Sequence, residues 1–222
     1  MTRDRPLGRC PGRIGGRIDR GRGIGLNAGV GDCAVDLYWL PVGAGTSRFQ
    51  QASLRLWEAV EAARSRRPRM RLLHSALKLG VGPGTVYTLE LTPAFIGGAA
   101  PPLATGPVGL RGADRFRVFR YQLRCLPGEQ LPDEEWAVQD PIRLTDDCAM
   151  ARRVLELAPS VPKHVWGRRV AGTGEMWTSD SVISWLLARS GLDLSHIAPP
   201  AGGRAPGWYA GLAIAGSEPA AS

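Results

Sequence analysis

Three residues have the types and positions to do chemistry together: His74, Ser179 and Glu90. His74 lies in Leu72 to Leu79 (LLHSALKL), which reads as a β-strand. Glu90 lies in the returning strand Val86 to Leu91 (VYTLEL), across a hairpin marked by Gly80, Gly82, Pro83 and Gly84. Ser179 stands at the polar opening of SDSVISWLLARS, a helix with Val182, Ile183, Leu186 and Leu187 on one face and Gly191 as its stop. Unpaired backbone N–H groups and the dipole at a helix start favour negative charge. A hydroxyl there could become an alkoxide and attack a carbonyl, with the same N–H groups holding the oxyanion. A histidine on a neighbouring strand could take the proton, and a carboxylate on the next strand could orient that histidine. Each residue also has a plainer use. Serine is a common helix cap, a strand histidine can simply be packed, and Glu90 alternates outward between Leu89 and Leu91.

The elements around these residues are read from periodicity and breakers. Ala34 to Val42 (AVDLYWLPV) predicts a first strand, and Phe49 to Ala63 a helix with Leu54, Trp57 and Val60 on its buried face. Arg64 to Arg71 carries five arginines around Pro68, and is read as a solvated basic loop or, alternatively, an anion site. Phe95 to Pro107 reads as a Gly/Ala/Pro loop. Arg115 to Cys125 reads as a strand, with a bulge where the apolar phase changes. Pro127 to Asp140 reads as loop, and Thr145-Asp146-Asp147 as the cap of a helix running to about Ala158. After Ser195 the chain is rich in Pro, Gly and Ala, anchored by Trp208. The expected organisation is a disordered Arg/Gly-rich leader over 1–33, one α+β domain over 34–212, and a disordered tail over 213–222. The fold class is an antiparallel sheet packed against helices.

The order of a histidine strand, a hairpin and a late helix with a nucleophile resembles the circularly permuted papain-like clan. That clan includes NlpC-related cell-wall amidases, lecithin retinol acyltransferase-like enzymes and desumoylating-type peptidases. The likeness spans Leu72 to Leu192 in outline and rests on two short stretches, HSALKL and Thr178-Ser179-Asp180-Ser181 with the apolar helix after it. It implies a permuted papain-like fold in which His74 matches the base, Ser179 the nucleophile and Glu90 the orienting group. The family uses cysteine at the nucleophile position. Serine is far less acidic than a thiol, so the replacement points first to a degenerate, binding-only descendant and second to a serine-based hydrolase or acyltransferase. The implied ligand is an amide, ester or peptide. The alternatives are a non-catalytic protein interaction module and an Arg-mediated nucleic-acid binder.

Composition narrows the field. The chain has 222 residues, 44% hydrophobic and 22% charged, which suits one globular, soluble domain with tails. The net charge is +8, but lysine occurs only at Lys78 and Lys163, and arginine-rich coding weakens the charge as a sign of a polyanion partner. No nucleic-acid-reading motif accompanies it, so a nucleic-acid partner is not expected. No run of about 18 apolar residues suggests a membrane span, and no membrane partner is expected. His74, His164 and His196 have no metal-ligand spacing, and no cofactor is expected. Trp166, Trp177, Trp185 and Trp208 read as packing residues. Cys10, Cys33, Cys125 and Cys148 show no CxxC pairing, so reduced thiols and a cytoplasmic setting are expected.

Overall fold

The structure is a computed structural model that describes residues 33–43, 58–95, 101–128, 131 and 133–217. Seven strands and four helices are described: β1 (Cys33–Pro41), α1 (58–64), β2 (Arg71–Gly82), β3 (Thr85–Pro93), β4 (Ala104–Pro107), β5 (Arg120–Pro127), β6 (Ile142–Thr145), α2 (Cys148–Leu157), α3 (Ser179–Ser190), β7 (Gly203–Arg204) and α4 (Trp208–Ser217). The expected α+β class, an antiparallel sheet packed against helices, is what folds. The strand order is β4-β5-β3-β2-β1-β6, antiparallel throughout, with the short β7 joining β2 in parallel.

Alternation along the central strands builds two apolar layers. Val35, Leu37 and Trp39 of β1, Leu73, Leu77 and Leu79 of β2, and Leu89 of β3 enter one core with Val154, Ile183, Leu186 and Trp208 of the helices. On the opposite face Tyr38, Leu40, Ala76 and Leu131 form a second, smaller cluster. Burial on both faces explains why β1 reads as a nearly continuous apolar run.

The helices begin where their capping residues dictate. The Asp147 carboxylate accepts from the Ala149 N–H at 2.8 Å and starts α2. Thr178 and Ser181 form a reciprocal capping box at the start of α3, and Gly191 closes that helix at φ 97°. α3 is buried nearly all round, because the sheet lies on one side of it and α4 on the other. Its serines fasten α4: the Ser181 hydroxyl donates to the Gly207 carbonyl at 2.8 Å, and the Ser184 hydroxyl donates to the Trp208 carbonyl at 2.7 Å. The Glu175 carboxylate accepts the N–H groups of Gly207 and Tyr209, which caps α4 from outside the helix.

Several expectations change. Arg115 to Phe119 is not strand: two 3-10 turns precede β5, which begins at Arg120. The change of phase marks that boundary, since Tyr121, Leu123 and Cys125 turn inward while Phe116, Val118 and Phe119 are exposed. β4 lies within the Gly/Ala/Pro stretch read as loop, and β6 is a four-residue strand too short to show periodicity. The domain boundary at 212 falls inside α4, which continues to Ser217. Most of the helix expected over Phe49 to Ala63 and residues 1–32 of the expected leader lie outside the described residues, as does the end of the expected tail, while Cys33 begins β1. Cys33 and Cys148 are joined as a disulfide, Cα atoms 4.7 Å apart, and Cys125 is bonded as well. The expectation of reduced thiols is thereby corrected, and with it goes the thiol argument for a cytoplasmic setting. The pairing was illegible because it spans a sequence separation of 115, with no local spacing motif. No helix among the described residues is long and apolar enough to cross a membrane.

Candidate functional site

The pairing of β2 with β3 runs only from Leu77↔Leu89 to Gly82↔Thr85. Beyond it β2 extends back to Arg71, while β3 continues to Pro93 beside β5. β7 takes up Arg71 and Leu72, so among the described residues Leu73 to Ala76 have no strand partner on the β3 side. His74 and Ser75 sit in this interruption. The start of α3 fills it: the Ser75 hydroxyl donates to the Asp180 carboxyl at 2.8 Å.

Asp180 is buried, 1% exposed, and its carboxyl is pushed up to about 8. Burial is the main cause; hydrogen bonding from the Ser75 hydroxyl and backbone works against it, and nearby Glu175 works with it. The group that fastens helix to strand is therefore a neutral carboxylic acid at pH 7.

This bond places the chain neighbours His74 and Ser179 on two elements that touch. Ser179 is the first residue of α3, 7% exposed, and neither its hydroxyl nor its backbone N–H has a hydrogen-bond partner among the described residues. A free hydroxyl and a free donor on one helix-start residue are the parts a carbonyl would need. The His74 side chain, by strand alternation, points away from the face of Leu73, Ser75 and Leu77. Burial pushes its imidazole down to about 4, so the ring is neutral at pH 7. No hydrogen bond joins His74 to Ser179, and none joins His74 to Glu90. Glu90 shares the sheet face of His74, since Thr88 pairs with Lys78 and both residues are in that phase. Burial raises its carboxyl, with Arg124, its partner across β5, acting in the other direction.

Comparison with family models, with curated proteins and with solved structures finds no match.

Two further groups of polar residues were not singled out in the sequence. Lys78 is 6% exposed, its Nζ 2.6 Å from both Glu134 oxygens and 5.2 Å from the centre of the Tyr38 ring. Beside it opens a recess of about 590 Å³ lined by Tyr38, Glu134, Ala137, Gln139, Asp140 and Pro141. The only legible signal was Lys78 itself, a lysine in a buried strand. The second is Glu58, 4% exposed, which accepts from Arg67 and the Met70 N–H and lies 3.8 Å from Arg204. Arg67, part of the basic run read as a solvated loop or, alternatively, an anion site, is thus turned inward, whereas Arg64, Arg66, Arg69 and Arg71 stay exposed. His164 packs against Trp177 in a tilted arrangement, ring centres 4.7 Å apart. Among the described residues no group of His, Cys, Asp or Glu is arranged to hold a metal.

Proposed function

We propose that this is a papain-like domain of the degenerate kind, which holds an amide, ester or peptide carbonyl at the start of α3 without turning it over. The observation that supports the reading is the buried Ser75–Asp180 hydrogen bond, which fastens the His74 strand to the Ser179 helix start. In this reading the Ser179 N–H and hydroxyl bind the carbonyl oxygen. A serine needs a base within about 2.6–3.2 Å to attack, and that base needs an orienting partner. Among the described residues His74 is hydrogen-bonded neither to Ser179 nor to an orienting partner, and Ser179 is largely covered. The papain-like likeness therefore carries the binding half of the family's chemistry and not the nucleophilic half.

Titration with an N-acetyl dipeptide amide is expected to move the backbone amide resonances of Ser179, Asp180 and Ser75. A fluorophosphonate is expected to leave the protein unlabelled. Labelling of wild type but not Ser179→Ala would replace this reading with a serine-based hydrolase or acyltransferase. An absence of shifts at the three amides would remove the carbonyl site. The interaction-module reading would then lead.

A further inference from the structure

Residues 108–119 form a closed loop beside β5. The Val108 N–H donates to the Phe119 carbonyl at 2.8 Å, and inside this closure the N–H groups of Ala113, Phe116 and Phe119 bond three residues back. Val108 packs against the main core, while the two successive 3-10 turns keep Leu110, Phe116, Val118 and Phe119 out of both core clusters. Leu110 is 62% exposed, Phe116 53%, Val118 58% and Phe119 49%. Phe95 is exposed beside it, brought close by the Arg117 guanidinium, which donates to the Ala94 carbonyl. Single exposed apolar residues need no explanation, but this many on one short loop mark a contact surface.

The flanking charges indicate the partner. Arg111, Arg115 and Arg117 are exposed on the same loop, and Arg168 joins them by donating to the Gly109 carbonyl at 2.8 Å. Asp114 is the loop's one acid, and it is half-buried. Protruding phenylalanine, leucine and valine ringed by arginine is the composition of a segment that lies at a bilayer surface. The apolar side chains enter the headgroup boundary and the guanidinium groups meet anionic headgroups. We infer that the 108–119 loop docks this protein on an anionic lipid surface. The sequence-based expectation of no membrane partner rested on the missing apolar span, which does not bear on surface attachment. The inference stands apart from the carbonyl site.

The test is co-sedimentation of the full chain with phosphatidylcholine vesicles, with and without phosphatidylglycerol. Binding is expected to require phosphatidylglycerol and to weaken as salt rises. The triple variant Phe116→Ser, Val118→Ser, Phe119→Ser is expected to bind about tenfold or more weakly, with a nearly unchanged melting temperature, since these side chains lie outside both core clusters. Arg115→Gln with Arg117→Gln is expected to remove the preference for the anionic vesicles. In a Phe116→Trp protein the new indole is expected to shift its emission to the blue when anionic vesicles are added. No vesicle binding would overturn the inference. So would equal binding by the triple variant, or capture by a poly-glutamate peptide with none by vesicles, which would make the loop a site for an acidic protein segment.

Discussion

Gly211→Leu is expected to lower the stability of the domain by about 3 kcal/mol or more, read as a fall in the urea midpoint. α4 lies against α3 with no side chain between them at this point. A Cβ on Gly211 would overlap the Ser181 carbonyl and the Ser184 hydroxyl. Ser184 already spends that hydroxyl on the Trp208 carbonyl, and its backbone is held in the middle of α3, so neither neighbour can withdraw. Domains are stable by only about 5–15 kcal/mol, which makes a loss of this size a large share of the total. The same helix supplies a control. Gly216 has open space where a Cβ would go, so Gly216→Ala should be neutral or stabilising by up to about 1 kcal/mol through helix propensity. Equal effects at the two glycines would mean that α4 does not pack on α3 as described.

Asp180→Asn is expected to change how stability depends on pH. The folded carboxyl titrates at about 8, above its ordinary value of 3.8. Between those values the folded state keeps a proton that the unfolded state releases. The contribution of Asp180 is therefore fully present below about pH 4 and is lost as pH rises toward 8. The slope is at most about 1.4 kcal/mol per pH unit across that window. Asparagine cannot ionise and still presents an oxygen to Ser75. The stability of wild type relative to Asp180→Asn should therefore fall steadily from pH 4 to pH 8. His74 has the opposite sign: its imidazole is depressed, so its contribution is present above about pH 6.5 and lost as pH falls toward 4. It is common to both proteins and cancels in the difference. Parallel curves for the two proteins would show that Asp180 is ionised in the fold.

The elements that carry the candidate residues were legible because their signals are local. LLHSALKL and VYTLEL alternate, a glycine-rich turn separates them, and Thr178 to Gly191 has a cap, an apolar helix and a glycine stop. The contacts that decide the site were not. Asp180 reads as an ordinary acidic residue in a first helical turn, and nothing in its spacing reveals that 105 residues earlier Ser75 will meet it. The interruption between β2 and β3 was equally hidden, because it arises where two strands part, each of them regular in itself. α4 was missed because glycine and alanine there serve close approach to α3 and leave no amphipathic stripe. Phe116 and Val118 misled in the other direction: apolar residues at strand spacing were read as part of a strand, yet they lie on surface 3-10 turns. Their exposure is what the proposed lipid contact rests on.

The central claim is that the start of α3 is fastened to β2 beside His74 by Ser75 and Asp180. The most direct measurement is a double-mutant cycle on the full chain with Ser75→Ala, Asp180→Ala and the pair, each unfolded in urea at pH 6. A direct bond predicts a coupling of about 1–2 kcal/mol, the double variant losing less than the two single losses added together. Additive losses, with a coupling of about zero, would mean that the two residues do not meet, and the site built on their contact would be contradicted.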